Sequence, residues 1–320
     1  MNRSSRRQRI PWLAWPSMLS LDAVLVSVVW QQLLMRGYCQ RGSTWTESVS
    51  LGATVWLIYV ADRLLDAARL DLGAPHTLRH AFYRQHRRFF HAVWIIVLAI
   101  DTFVVIHFLP HELLRAGVLL SSAVLIYGAS VHFSHRRSDV DAGRCSNPLR
   151  RRPLPKEAQV GLLFAVGVSL SVWTEMSVAG DRGSELVSLA ATTCFLAVLF
   201  GSNCVLVARF ERDLDRAQSF PSIVAGDSRA RDGRVPAMIP NAVASTMGLP
   251  VLLLLLPMPV SVLFTAVLSA VGLAAMALKS QPVRPQPEGP LYRATFDVRG
   301  AGVDAAVWIP PLVILLLGLF

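Results

Sequence analysis

The sequence predicts an all-α fold, a polytopic bundle of about nine transmembrane helices. Hydrophobic residues make up 53% of the 320 residues, charged residues make up only 16%, and the mean hydropathy is +0.46. Apolar stretches of about 20 residues recur along the whole chain, and this is the length that a helix needs to cross a bilayer. The stretches are too long and too uniformly apolar for the alternating strands of a membrane barrel.

Proline residues separate several of the predicted helices from their neighbours. Pro110, Pro257 and Pro259 interrupt otherwise continuous apolar runs, and proline ends or kinks a helix. We expect a single transmembrane domain over 1–320, with possible four-helix halves at 17–133 and 156–279 and a final helix at 303–320. The nine predicted helices cover 17–36, 45–62, 91–110, 113–133, 156–178, 185–208, 237–257, 259–279 and 303–320.

The distribution of basic residues predicts the orientation of this bundle. With nine crossings, 27 of the 31 Lys and Arg residues fall on the side of the N-terminus and four fall on the other side. Such asymmetry is typical of loops that stay in the cytoplasm. We therefore expect a multi-pass protein of a bacterial inner membrane with a cytoplasmic N-terminus. The net charge of +10 reflects this bias, and without a recognisable nucleic-acid module we expect the lipid bilayer, not nucleic acid, as the partner.

Two pairs of acidic residues stand at the cytoplasmic ends of the second and sixth predicted helices. Asp62 and Asp66 are spaced i, i+4, and so are Glu211 and Asp215, so each pair lies on one helical face. Carboxylates so close to hydrocarbon are costly and usually functional. The alternative is ordinary solvation at a helix end, with neighbouring arginines neutralising each acid. Asp213 lies between the second pair and could replace either of its members.

Carboxylates mixed with basic residues suit the binding of a metal-complexed diphosphate. Mg²⁺ prefers oxygen ligands and commonly bridges carboxylates to substrate phosphates. Arginine and lysine then bind the remaining phosphate oxygens. Metal ions stabilise a departing diphosphate, and an apolar pocket shields an allylic carbocation from water. The candidate phosphate-binding residues are Arg63, Lys156, Arg209, Arg212 and Asn203, although positive-inside anchoring explains Lys156 and Arg209 equally well and an interhelical hydrogen bond explains Asn203.

In these motifs the chain resembles the UbiA superfamily of intramembrane prenyltransferases. Residues 61–66 (ADRLLD) look like the latter half of its first aspartate-rich motif, NDxxDxxxD, and residues 20–23 (SLDA) open the first helix as in some bacterial members. Residues 154–157 (LPKE) take the place of its basic loop, and 203–215 the place of its second aspartate-rich motif. The resemblance implies a transferase that moves a polyprenyl group from an isoprenoid diphosphate to an unidentified acceptor. It implies Mg²⁺ bound by Asp62, Asp66, Glu211, Asp215 and Asp213.

The chain departs from both family motifs at their leading acids. Ile58 and Tyr59 stand where the first motif begins with Asn-Asp, and Val207 stands at the first acidic position of the second motif. A non-catalytic isoprenoid-binding or scaffold protein with a degenerate prenyltransferase fold is therefore the alternative.

Asp22 and Asp101 also lie in apolar helices, and the sequence names no partner for Asp101.

A histidine-rich membrane metal oxidase is a minor alternative. Three histidine pairs have spacings that allow metal binding on a helix, but the adjacent His-His pairs of membrane desaturases are absent from the sequence. The acceptor and the prenyl length cannot be read from the sequence. The pairs are His76 and His80, His86 and His91, and His132 and His135.

Overall fold

A computed structural model describes residues 15–71, 73–74, 76–140, 156–178, 183–218, 258–279 and 298–319, without the side chains of 131–140, 212–217, 279 and 298. Within these ranges the chain forms helices and no strand. The helices are α1 (Trp15–Met18), α2 (Leu21–Cys39), α3 (Trp45–Arg69), α4 (Leu78–Gln85), α5 (Arg87–Phe108), α6 (His111–Val140), α7 (Lys156–Val178), α8 (Gly183–Ala217), α9 (Val260–Lys279) and α10 (Val298–Leu317).

Seven of the described helices are long and apolar enough to cross a membrane, which makes the chain an integral multi-pass membrane protein. These are α3 and α5–α10, whereas α2 overlaps most of the first predicted segment without being one of the seven. The predicted helix at 237–257 lies outside the described residues. The full number of nine crossings therefore stays a prediction.

Several helices continue beyond the apolar segments that predicted them. The segment 45–62 belongs to a helix that ends at Arg69, and 185–208 belongs to one that ends at Ala217. Hydropathy marks the part of a helix that lies in hydrocarbon, whereas the i to i−4 hydrogen bonds continue into the polar region without penalty. As a result, Asp62 and Asp66 lie on one unbroken helix.

Helix α2 forms the centre of the bundle. It packs against α3, α7, α9 and α10, and so contacts helices from both of the predicted four-helix halves and the final helix. Trp30, Leu33, Leu34 and Met35 on α2 are fully buried. The indole Nε1 of Trp30 donates a hydrogen bond to the backbone oxygen of Val307 at 3.0 Å, which fixes α10 against α2.

Helices α7 and α8 approach each other through glycine. A Cβ atom at Gly161 would lie 2.5 Å from the backbone nitrogen of Gly201 and 2.6 Å from the carbonyl oxygen of Ala197. Small residues allow such close backbone approach between membrane helices, where packing rather than hydrophobicity drives association. This contact aligns the two helices that carry Lys156 and Glu211.

Helices α5 and α6 present their large apolar side chains to the outside of the bundle. Ile95, Ile106, Leu119 and Leu125 are all more than half exposed, as expected for a surface that faces lipid. Asp101 on α5 is buried instead, and its carboxylate accepts a hydrogen bond from Thr54 on α3 at 3.0 Å. The partner that the sequence left unnamed is therefore a threonine of the neighbouring helix.

The short helix α4 packs against the end of α3. Thr77 caps its first turn by accepting a hydrogen bond from the backbone nitrogen of His80 at 3.2 Å. His80 and Tyr83 on α4 are buried, and Tyr83 packs with Val60 and Leu64 of α3. The aromatic and basic segment that follows α3 thus covers part of the bundle end where the candidate site lies.

Candidate functional site

A cavity of about 270 Å³ opens at one end of the bundle. It lies where α2 and α7 begin and where α3 and α8 approach their ends, so its walls come from helices far apart in sequence. In the part of the chain that the structure describes, its charged lining side chains are six carboxylates and three cations. These residues are Asp22, Asp62, Asp66, Glu157, Glu211, Asp304, Arg63, Arg79 and Lys156.

The first predicted acidic pair lines this cavity together with the arginine between its members. Both Asp62 and Asp66 contribute to the wall, and the negative charges of Asp62, Glu211, Asp66 and Asp22 act on the guanidinium of Arg63. The buried Nε of Arg63 nevertheless has no hydrogen-bond partner among the described residues. A buried donor without a partner is costly, so Arg63 is a donor available to a ligand.

The second predicted acidic site is engaged by an arginine that the sequence analysis did not name. Arg79 on α4 donates two hydrogen bonds to the carboxylate of Glu211, at 2.9 and 3.2 Å. Both side chains are largely buried, with exposures of 13% and 19%. The only signal for Arg79 in the sequence was its place in the basic, aromatic segment after α3. The side chains of Arg212, Asp213 and Asp215 lie outside the described residues.

Lys156 and Asn203 line the cavity, whereas Arg209 is not among its lining residues. The amide Nδ2 of Asn203 donates to the carboxylate of Asp304 on α10 at 2.9 Å, and the buried Oδ1 of Asn203 has no partner among the described residues. The predicted interhelical role of Asn203 thus exists alongside its position at the cavity. Asp304 is a lining acid that the sequence analysis missed, because only tertiary packing brings the last helix to this site.

Helix α4 closes one side of the cavity with a neutral histidine. Burial, aided by the charges of Arg79 and Arg63, lowers the pKa of His80 to about 2. Its Nδ1 lies 2.9 Å from the hydroxyl of Thr77. Next to it the hydroxyls of Tyr83 and Ser20 are 3.3 Å apart, and burial raises the pKa of Tyr83. His80 and Ser20 therefore add polar but uncharged groups to the cavity lining.

The described residues contain no group of three His, Cys, Asp or Glu side chains arranged to hold a metal ion. His86 and His91 are exposed and turn their Nδ1 atoms to carbonyl oxygens of their own helices, so they form no ligand set. Asp62 and Asp66 fit a metal site with fewer protein ligands, because Mg²⁺ is often held by one or two carboxylates together with water and phosphate oxygens. The donor set thus suits a metal that arrives with its phosphate ligand.

Comparison with known proteins identifies no relative: no family model, no curated protein and no solved structure matches the chain.

Proposed function

We propose that the protein is a UbiA-like membrane prenyltransferase, which moves a prenyl group from an isoprenoid diphosphate to an unidentified acceptor with Mg²⁺. The observation that carries this proposal is the cavity itself, in which charged side chains lie above an apolar end within membrane helices. One of them, Arg63, has an Nε atom without a hydrogen-bond partner among the described residues. A ligand with an anionic head and an apolar tail matches that division. An isoprenoid diphosphate is such a ligand.

The charge of the cavity supports a metal-complexed anion over a free one. Among the described residues, six carboxylates line the cavity against two arginines and one lysine, so this part of the wall is net negative when all are ionised. Like charges repel strongly where water is scarce, and a bare diphosphate would be excluded. Carboxylates such as Asp62 and Asp66 would hold a divalent cation here, whose positive charge would remove this repulsion.

The residues that line the cavity have different roles in this proposal. Asp62 and Asp66 hold the metal, and Arg63 and Lys156 bind the remaining phosphate oxygens as the diphosphate departs. Bound Mg²⁺ supplies charge stabilisation of the leaving diphosphate. The apolar end of the cavity receives the prenyl group and keeps water from the allylic cation. We expect the cavity and the N-terminus to lie on the cytoplasmic side of a bacterial inner membrane, and the 27-to-4 distribution of basic residues expected for nine crossings supports this.

The test is Mg²⁺-dependent binding and turnover of isoprenoid diphosphates by the purified protein in detergent. We expect binding that needs Mg²⁺ and is lost on chelation, followed by diphosphate release when the correct acceptor from a panel of aromatic, quinone-precursor and lipid compounds is present. Absence of any Mg²⁺-dependent binding of isoprenoid diphosphates would refute the proposal. Asp101→Asn is a matched control, because Asp101 is a buried acid in a membrane helix that does not line the cavity.

A non-catalytic isoprenoid-binding protein is the second candidate. The ion pair of Glu211 with Arg79 favours it, because a carboxylate neutralised by a guanidinium is a poorer metal ligand. The missing leading acids at Ile58, Tyr59 and Val207 point the same way. Tight Mg²⁺-dependent binding with no diphosphate release from any acceptor in the panel would support this candidate over the enzyme.

A further inference from the structure

The cavity changes from charged to apolar with depth. Going inward, α7 contributes Lys156 and then Phe164, and α3 contributes Asp66 and then Ile58. Each of these pairs is eight residues apart, which is about 12 Å along a helix. On α8 the eleven residues from Glu211 to Phe200 span about 16 Å. The lining residues of α3, α7 and α8 thus give the cavity a depth of about 12–16 Å.

Only part of this depth lies beyond the charged and amide side chains of the lining. Phe200 lies three residues deeper than Asn203, Ile58 lies four residues deeper than Asp62, and all four line the cavity. At 1.5 Å per residue, these separations leave a largely apolar end of about 5–6 Å along α3 and α8, to which α3 also contributes the phenol of Tyr59. On α7 the seven residues from Glu157 to Phe164 leave about 10 Å.

Aromatic rings close the deep end. The rings of Phe164 and Phe200 meet edge to face with centroids 4.9 Å apart, and both line the cavity. Behind them the fully buried indole of Trp30 meets Phe200 edge to face at 6.3 Å. The hydrogen bond from Trp30 to the backbone of α10 fixes this ring, so the three aromatics form a braced floor.

These dimensions limit the ligand. An isoprene unit contributes four bonds of about 1.5 Å to an extended chain, which gives roughly 5 Å per unit. The apolar end of about 5–10 Å therefore holds one or two units. The cavity volume of about 270 Å³ agrees, since it lies just below the range of about 300–1,000 Å³ found for pockets that hold drug-sized ligands.

We propose that the floor of Phe164 and Phe200, braced by Trp30, restricts the protein to short isoprenoid diphosphates of one or two isoprene units. This inference rests on the proposed function and narrows its substrate from polyprenyl diphosphates in general to the five- and ten-carbon compounds. A longer chain would have to displace the floor. Chain-length selection is then a property of these side chains and not of the charged residues.

The experiment measures dissociation constants of allylic thiolodiphosphates with 5, 10, 15 and 20 carbons, together with inorganic diphosphate, in detergent with Mg²⁺. The thiolo analogues ionise slowly, so binding is measured without turnover. We expect the 15- and 20-carbon compounds to bind at least tenfold more weakly than the ten-carbon compound. Phe200→Leu and Phe164→Ala should reduce that discrimination to threefold or less, because each opens the floor.

Phe195→Leu is the matched control. Phe195 is fully buried and lies on α8, as Phe200 does, but it does not line the cavity. This variant should keep the discrimination of the wild type. Using two floor variants separates selection from misfolding, since Phe164 is only partly buried and its truncation disturbs the core less.

The outcomes separate the two proposals. If the 15- or 20-carbon compounds bind the wild type as tightly as the ten-carbon compound, the floor does not limit length and this inference is wrong, while the proposed function survives. If discrimination is present but unchanged in both floor variants, or lost equally in Phe195→Leu, this inference is also wrong. If no prenyl compound binds better than inorganic diphosphate, both proposals are wrong.

Discussion

The two polar ends of the bundle are built on the same two helices, α3 and α7, and are completed in opposite ways. Asp66 and Glu47 on α3, and Lys156 and Glu175 on α7, are each 19 residues apart, which is about 28 Å along a helix. This distance matches the hydrocarbon thickness of about 30 Å that a membrane helix must cross. One end carries the cavity, and the other carries a cluster of Arg41, Glu47 and Glu175.

The Arg41 cluster is complete without any ligand. Arg41 donates to Glu47 at 3.1 and 3.2 Å and to Glu175 at 2.8 and 3.1 Å, and these hydrogen bonds, with that to Glu47 first, raise the pKa of Arg41. Glu47 also forms a capping box with Thr44 at the start of α3. Each charge in the cluster therefore has an opposite charge at hydrogen-bond distance, as expected for a structural clamp.

The cavity end has more charge and fewer completed contacts. The buried Nε atoms of Arg63 and Arg79 and the Oδ1 of Asn203 have no hydrogen-bond partner among the described residues. The comparison separates charged residues that stabilise a membrane bundle from charged residues that line a functional site. Charges that satisfy one another stabilise the fold, whereas buried donors left without partners mark the place where a ligand supplies them.

The largest expected effect is on the carboxylates of α3. Asp62→Asn or Asp66→Asn should lower Mg²⁺-dependent turnover by about 100-fold or more, because a lost ligand charge leaves the diphosphate uncompensated. The measurement is the initial rate over a Mg²⁺ titration, with circular dichroism to verify folding. Asp101→Asn should keep the wild-type rate. Wild-type rates and Mg²⁺ dependence in both α3 variants would favour the scaffold candidate.

Exchanging one arginine at each end tests the comparison directly. Arg41→Gln should destabilise the protein by about 2 kcal/mol, because it leaves the buried Glu47 without its cation, a cost moderated by the 38% exposure of Arg41. It should leave ligand affinity unchanged. Arg63→Gln should instead weaken diphosphate affinity by about tenfold, as for a charged hydrogen bond.

Both variants are measured by reversible unfolding in mixed micelles and by diphosphate titration. If Arg63→Gln destabilises the fold as much as Arg41→Gln does and leaves affinity intact, the distinction between the two ends is wrong.

The pH dependence of stability should trace to His80. Its pKa is about 2 in the folded protein and about 6.5 when unfolded, so the unfolded state binds the extra proton. The stability is therefore full above pH 6.5 and falls as the pH decreases from there towards 2, by up to about 2 kcal/mol between pH 7 and 5. His80→Asn should flatten the unfolding free energy over this range. His86 is exposed, and the control variant His86→Asn should leave the pH dependence of the unfolding free energy unchanged. Equal slopes of unfolding free energy against pH in the wild type and both variants would contradict the assignment to His80.

The smallest expected effect concerns the ion pair between α4 and α8. A double-mutant cycle of Arg79→Gln and Glu211→Gln should give a coupling of about 1 kcal/mol, since both side chains are mostly buried. The cycle is measured by unfolding with and without Mg²⁺ and diphosphate. If Glu211 leaves Arg79 to bind metal, the coupling should shrink when the ligands are present. A coupling unchanged by the ligands would mean that Glu211 stays a structural partner.

The all-helical membrane fold and the approximate places of the helices could be predicted from the sequence alone. The length of an apolar run is a local property, and bilayer thickness converts it directly into a spanning helix. The i, i+4 spacing of Asp62 and Asp66 was equally local, and both residues lie at the cavity. The count of nine helices, the family and the activity stay predictions.

Tertiary structure decided which distant residues share the site. Asn203 meets Asp304 across 101 residues, Arg79 meets Glu211 across 132, and Trp30 meets the backbone of Val307 across 277. These contacts depend on how each helix is rotated and how closely its neighbours approach, as at Gly161. Hydropathy carries almost no information on rotation, because lipid and the core of the bundle are equally apolar. The bilayer therefore determines where a helix begins and ends, and side-chain packing alone determines which way it faces.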